Sequence, residues 1–227
     1  MIRSGAPILP PMPIDRAGIP FIGVALVPPA VCLMAGLPIV AIPLTFLAVG
    51  VALFFRDPKR ITPQEPGAVV APADGRVLYA GRAQRTAAPP GDWLQISIFL
   101  SPLDVHVNRV PIQGRITRVE YMPGTFLPAF RVGAAARNER NEIWLEHADQ
   151  TIVFRQVVGA LARRVVCRVI SGTTVQTGQR FGIMKFGSRM DLFVPTSATL
   201  VVTDGERVRG GETVVARLGA VSATGGS

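Results

Sequence analysis

Two histidines are the whole supply of imidazole in these 227 residues, so histidine base catalysis has two candidates. His147, in Leu145-Glu146-His147-Ala148-Asp149-Gln150, belongs to a polar hairpin tip, where an exposed and idle imidazole is the favoured reading. His106 lies where the apolar run Ile96-Ser97-Ile98-Phe99-Leu100 gives way to Ser101-Pro102-Leu103-Asp104-Val105-His106-Val107-Asn108-Arg109-Val110-Pro111. A histidine held by a rigid core strand can act as a base, and it can equally serve as a structural group bonded to a nearby carbonyl. Gly187-Ser188 separates two apolar stretches and, taken alone, is a turn; Ala73-Asp74-Gly75 is another. Cys32 and Cys167 stand in unlike contexts with no CxxC or Cys/His cluster, so no metal site is expected. Lys59 and Lys185 are the only lysines that could form a Schiff base, and no glycine-rich phosphate loop accompanies them.

These residues need a scaffold, and the composition divides the chain into parts that could supply one. Residues 17–55 are 39 positions without a charge, bounded by Arg16 before and Arg56, Lys59 and Arg60 after. A spanning helix needs about 20 apolar residues, so the run suffices for two helices turning near Met34-Ala35-Gly36-Leu37-Pro38. Prolines 20, 28, 29, 38 and 43 leave open whether this hairpin crosses the bilayer or enters one leaflet. Cations at both ends place the termini and the rest of the chain on the cytoplasmic side of the cell membrane. The division expected is therefore a tail over 1–16, a membrane hairpin over 17–55 and a soluble domain over 56–227.

The soluble part is read as mainly β, a barrel or sandwich with few helices. Short β-like segments at 68–71, 75–80, 93–99, 115–121, 142–146, 151–157, 164–169, 189–194 and 198–202 are separated by Pro, Gly and Asp/Asn clusters. The one helix signal is a weak stretch around 130–140. Pro72-Ala73-Asp74-Gly75-Arg76-Val77 is echoed by Thr203-Asp204-Gly205-Glu206-Arg207-Val208, which reads as shared turn chemistry. The formal charge of +9 carries no dense basic run, so no nucleic-acid partner is expected.

Taken in order, Phe54-Phe55-Arg56-Asp57-Pro58, Ala71-Pro72-Ala73-Asp74-Gly75, the His106 segment, Asn138-Glu139-Arg140-Asn141 and Phe186-Gly187-Ser188 form a set. The set resembles the short, membrane-associated form of phosphatidylserine decarboxylase, over nearly the whole chain. The resemblance implies a proenzyme that cuts itself between Gly187 and Ser188 and turns Ser188 into a covalent pyruvoyl group. That group would condense with the serine amine of phosphatidylserine, accept electrons as CO2 leaves and so yield phosphatidylethanolamine. It implies Ser188 as nucleophile, His106 as base and Asp74 as the carboxylate that orients the imidazole. Longer members of the family carry a second histidine where this chain has Arg109, so both maturation and substrate handling fall to His106, with Arg109 available for the headgroup. Tyr121 to Phe130 would guide an acyl chain, and Asn138, Glu139 and Arg140 would meet the headgroup, unless the stretch is only a loop packed on the core. The implied partners are the phospholipid, the membrane and the two chains of one proenzyme, with a homo-oligomer left open. A domain starting near Arg56 is expected to lose activity mainly on bilayer substrate.

A rival reading starts from Val69-Val70-Ala71-Pro72-Ala73-Asp74-Gly75-Arg76-Val77 and Val208-Arg209-Gly210-Gly211-Glu212-Thr213-Val214-Val215-Ala216, which look like half-repeats of a biotinyl or lipoyl carrier. With a membrane segment in front, that would be an adaptor or scaffold without catalysis. It leaves His106 and Gly187-Ser188 without a purpose, and no long coiled coil is present.

Overall fold

The structure is a computed structural model that describes residues 13–84, 88–128, 137–159, 165–185 and 188–219. The uncharged run folds as a helical hairpin. A 3-10 turn, Arg16–Gly18, leads into α1, Ile19–Met34, and α2 follows at Pro38–Phe54. Pro38 opens α2, where a missing N–H leaves no ladder bond unmade. Both helices are apolar all round and show that surface outward, with Val24 73% exposed, Met34 89% and Ile39 83%. At about 1.5 Å per residue, the 16 and 17 residues give lengths of about 24 and 26 Å, short of a hydrocarbon core of about 30 Å. Only α1 with its preceding turn is long and apolar enough to count as a span among the described residues.

The base of the hairpin is clamped to the rest of the chain. The Asp15 N–H donates to the Phe55 carbonyl and the Asp57 N–H to the Pro13 carbonyl, each at 2.8 Å. The Arg168 guanidinium donates to both oxygens of the buried Asp15 carboxylate at 2.8 and 2.6 Å, and these bonds hold that carboxyl below its usual range against the opposing effect of burial. Phe54, the last residue of α2, and Phe55, its C-cap, pack with Val105, Val107 and Ile183 in a small core of their own.

Beyond the hairpin the chain is β. The strands are β1 Ala68–Val70, β2 Gly75–Arg82, β3 Trp93–Leu100, β4 Val107–Arg109, β5 Gly114–Met122, β6 Arg140–His147 and β7 Gln150–Val157. They continue as β8 Val165–Cys167, β9 Thr174–Val175, β10 Arg180–Met184, β11 Ser188–Pro195, β12 Thr199–Leu200, β13 Arg207–Val208 and β14 Val214–Arg217. Eight of them form one antiparallel sheet in the order β13-β2-β3-β11-β7-β6-β5-β9. Two three-stranded sheets, β1-β14-β12 and β4-β10-β8, complete the domain.

Period-two alternation explains the pairing. In β3, Ile96, Ile98 and Leu100 are fully buried in the main core, and in β11 Met190, Leu192 and Val194 join them from the neighbouring strand. The turn from β6 to β7 has two residues, Ala148 and Asp149, both at positive φ, which suits the twist of a tight hairpin. The two echoed segments meet directly: Arg207 pairs with Arg76 and Val208 with Gly75. A Cβ at Gly75 would lie 2.1 Å from the Phe99 carbonyl oxygen, so glycine is what lets β2 close against β3 there. Most of the weak helix signal at 130–140 lies outside the described residues, and Arg140 opens β6.

Candidate active site

His106 immediately precedes β4 and is fully buried. Its ring Nδ1 lies 2.9 Å from the Asp104 carbonyl. A carbonyl can only accept, so Nδ1 carries the proton and Nε2 is left with its lone pair, the tautomer a base requires. Nε2 has no hydrogen-bond partner among the described residues. Burial lowers the imidazole pKa from 6.5 to about 4, against the Asp104 carbonyl and carboxylate, which favour the charged form. The ring is therefore neutral at physiological pH.

Ser188 opens β11, fully buried, and its Oγ also has no hydrogen-bond partner among the described residues. The ladder carries both groups to one region. The Met184 N–H donates to the His106 carbonyl at 3.2 Å, and Met184 ends β10. Ser188 follows Met184 by four steps of chain, with three residues between them, so their Cα atoms are at most about 14 Å apart. The hairpin closes the region from another side. The Phe54 ring lies against the His106 imidazole, and the Lys185 ammonium sits 4.4 Å from the Phe21 ring centroid of α1.

Other expected site residues have different company. The Asp74 carboxylate makes no hydrogen bond to the His106 imidazole among the described residues. Arg60 donates to both Asp74 oxygens at 2.9 and 2.7 Å, the Gly210 N–H donates to the same carboxylate at 2.8 Å, and Arg60 also reaches Glu212 at 3.1 Å. The contact that fixes the imidazole comes instead from the Asp104 backbone. Arg109 donates to Asp57 at 2.6 Å and to the carbonyls of Gly178 and Pro58, while Arg180 takes the second Asp57 oxygen at 2.8 Å. Its guanidinium is thus occupied in holding residues 57–58 to the β domain. Asn138 is a clip, donating to the Leu127 and Val158 carbonyls and accepting from the Leu127 N–H.

Tyr121 is exposed on β5, and partial desolvation together with a hydrogen bond to the Glu139 carboxylate holds its phenol above the usual value. Arg140 pairs in register with Met122 and Val157. Phe130 and Gly187 lie outside the described residues. His147 has its Nδ1 2.9 Å from the Gln113 carbonyl, a structural bond at the hairpin tip. Sequence reasoning passes over Phe54, Asp57 and Asn108 as individual groups, although all three stand in the segments that carry the resemblance.

Comparison with known proteins bears on this arrangement. The profile of the phosphatidylserine decarboxylase family matches residues 47–216, a stretch holding His106, Ser188 and the Phe54-Phe55-Arg56-Asp57-Pro58 run. The chain belongs to that family. It is an enzyme of the decarboxylase type, made as a proenzyme that is processed into chains. A phosphatidylserine decarboxylase proenzyme of Salinibacter ruber is 49% identical over 183 residues, covering 78% of this chain and 81% of the relative. That of Pelodictyon phaeoclathratiforme is 47% identical over 176 residues, 75% of this chain and 82% of the relative. That of Xanthobacter autotrophicus is 41% identical over 216 residues, 92% of this chain and 91% of the relative, so the likeness extends into the hairpin. The adaptor reading is set aside by this membership. The helix α1, with its preceding turn, is long and apolar enough to cross a membrane.

Proposed function

We propose that this chain decarboxylates phosphatidylserine to phosphatidylethanolamine at residue 188, after cutting itself between Gly187 and Ser188 and converting the serine to a pyruvoyl group. The observation that carries the reading is the pair of orphaned buried atoms, His106 Nε2 and Ser188 Oγ, one a free lone pair and the other a hydroxyl. The Ser188 hydroxyl gives its proton to His106 Nε2 as Oγ bonds to the Gly187 carbonyl carbon. The C–N bond then breaks, the proton passes to the departing amine, and an ester replaces the peptide bond. Glycine at 187 leaves that carbonyl unshielded by a Cβ. Loss of the Ser188 Cα proton expels the Gly187 carboxylate, and the resulting enamine hydrolyses to the pyruvoyl carbonyl and ammonia.

A buried serine at the first position of a central strand fits such a group, since the keto carbon is the former Ser188 Cα and stays on the strand, while Cβ becomes the methyl and the hydroxyl oxygen leaves with Gly187. When formed, the group supplies an electrophilic carbonyl for the substrate amine and a sink for the electrons that CO2 leaves behind. His106 supplies a neutral nitrogen that can hold and return one proton beside it. Asp74 belongs to the Arg60 and Glu212 clamp and acts on the fold. The hairpin holds the site at the bilayer face where the lipid lies, and Arg16, Arg56 and Lys59 favour the cytoplasmic side.

Intact mass under denaturing conditions tests the reading. Two chains of 187 and 227 − 187 = 40 residues are expected, about 20 and 4 kDa by proportion of 24.2 kDa, the smaller one blocked to Edman sequencing. Ser188→Ala is expected to stay whole. A single intact chain in an active preparation overturns the proposal.

A further inference from the structure

We propose that Asn108 is a catalytic hydrogen-bond donor in self-cleavage: its side-chain amide stabilises the oxyanion that forms on the Gly187 carbonyl when Ser188 attacks. This deepens the self-cleavage reading and rests on it. Asn108 is fully buried, and its Oδ1 accepts from Gln156 Nε2 at 2.8 Å. Which end of each amide points where is fixed by a chain of contacts. Gln156 Nε2 also faces the Val166 carbonyl at 3.3 Å, and a carbonyl only accepts, so that end of Gln156 is the donor. Gln156 Oε1 correspondingly accepts from Asn141 Nδ2 at 3.3 Å. Asn108 must then turn Oδ1 toward Gln156 and Nδ2 away from it. Nδ2 has no hydrogen-bond partner among the described residues, although leaving a buried donor unpaired costs about 1–3 kcal/mol.

The unpartnered N–H belongs to the stretch of chain that carries the proposed base two residues earlier. His106 and Asn108 are two residues apart in extended chain and so share a face, with Gly182 in register opposite Asn108. Val107 and Ile183 join the small core with Phe54 and Phe55, and Phe54 also reaches the His106 ring. Gln156, which orients Asn108, pairs in register with Met190 on β11, two residues beyond Ser188 and on the same face as it. Gly182 makes the arrangement possible: a Cβ there would lie 2.3 Å from the Val166 carbonyl oxygen and 2.7 Å from Gln156 Nε2. The orphaned amide is thus tied through Gln156 to the strand that carries the nucleophile, and by two residues of chain to the base.

The step balances with these three groups. As Ser188 Oγ bonds to the Gly187 carbonyl carbon, its proton moves to His106 Nε2 and the carbonyl π electrons move onto oxygen, where the Asn108 N–H meets the new charge. Collapse returns the electrons to the C=O bond, breaks the C–N bond and delivers the His106 proton to nitrogen. Asn108 neither gains nor loses a proton.

The test monitors freshly made proenzyme on denaturing gels between pH 5.5 and 8. Asn108→Asp keeps the size and the acceptor for Gln156, and it can donate only when its carboxyl is protonated. We expect maturation slowed by about 100-fold at pH 8, the usual loss for one oxyanion donor, and recovering at least tenfold toward pH 5.5, where wild type is flat. Asn108→Ser and Asn108→Ala leave nearly equal cavities and differ in the hydroxyl donor, so Ser should mature at least tenfold faster than Ala. Wild-type rates for Asn108→Asp at every pH, an equal loss at every pH, or equal rates for the Ser and Ala variants each overturn the proposal. Cleavage of wild type and persistence of Ser188→Ala judge the self-cleavage reading separately, since neither depends on position 108.

Discussion

The His106 imidazole and the Phe54 ring lie with centroids 4.2 Å apart and planes inclined by 36°. Phe54 is the last residue of α2, so the apolar hairpin ends against the imidazole of the proposed base. Sequence alone suggests that a domain starting near Arg56 would keep its chemistry and lose only proximity to lipid. The contact argues otherwise, because such a domain lacks both Phe54 and Phe55.

The first prediction is that the domain beginning at Arg56 loses activity equally on bilayer phosphatidylserine and on a short-chain analogue. In the full chain, Phe54→Ala opens one side of the imidazole to water and raises its pKa from about 4 toward the ordinary 6.5. NMR titration of the ring in an uncleaved Ser188→Ala background checks this, and an unchanged pKa would refute it. The lost ring also costs about 3–5 kcal/mol of stability, read from denaturant unfolding.

A second prediction concerns pH and stability. The folded pKa of His106 is depressed to about 4 from 6.5, so between those values the unfolded chain binds a proton that the folded chain does not. The stabilising contribution is full above pH 6.5 and is lost as pH falls toward 4. The loss amounts to about 3 kcal/mol, from roughly 1.4 kcal/mol for each pH unit of the shift. Urea unfolding of Ser188→Ala at pH 7 and pH 4.5 should show this slope, and adding His106→Asn should flatten it.

The third prediction separates Asp74 from the chemistry. Asp74→Asn weakens the Arg60 clamp, and so does Arg60→Ala, whose side chain is only 7% exposed. Both should lower the melting temperature, and the double variant should lower it by less than their sum, because the two act on one contact. Maturation of the folded Asp74→Asn protein should stay within a few-fold of wild type at neutral pH. A loss of 100-fold or more would return Asp74 to the catalytic group.

A fourth prediction uses a native thiol. Cys32 lies two residues before the end of α1, near the tip of a hairpin about 24–26 Å long. In a bilayer this tip stays within the apolar layer. A membrane-impermeant maleimide should therefore fail to label Cys32 from either side of a sealed vesicle and succeed in detergent. Labelling from the side opposite the domain would mean that the tip emerges.

The fold was legible wherever the signal was local. Alternation over 93–99 and 115–121, the polar tip at Ala148-Asp149 and the turns around Gly75 and Gly205 all give strands or turns at those places. β10 was not recognised as a strand, because a glycine sits at its centre and the reason for it, Gln156 lying over residue 182, belongs to tertiary packing. The candidate site divides in the same way. His106 stood out as one of two histidines, and Ser188 through the ordered segments around it. The partner of Asp74 could not be read, since Arg60 lies in a stretch without regular structure and Ala73-Asp74-Gly75 looks the same whichever residue it binds. The direction of the Asn108 amide depends on Gln156, 48 positions along the chain, and no local pattern encodes it.

β11 lies between β3 and β7, with β13 on β2 and β14 between β1 and β12. Of the described strands after the Gly187-Ser188 bond, β11, β13 and β14 are thus stitched directly into strands made before it and β12 is held through β14, while β3 and β7 have no shared edge until β11 arrives between them. Cutting the bond severs the covalent thread and leaves the weave intact, so the two pieces should travel together until they are denatured. The same weave acts as a clock. The strand that carries Ser188 joins the sheet only once residues 188–195 have left the ribosome and been threaded home, whereas the apolar hairpin is made first. On the proposed reading, the Gly187-Ser188 bond therefore does not break before the sheet that holds both fragments is complete.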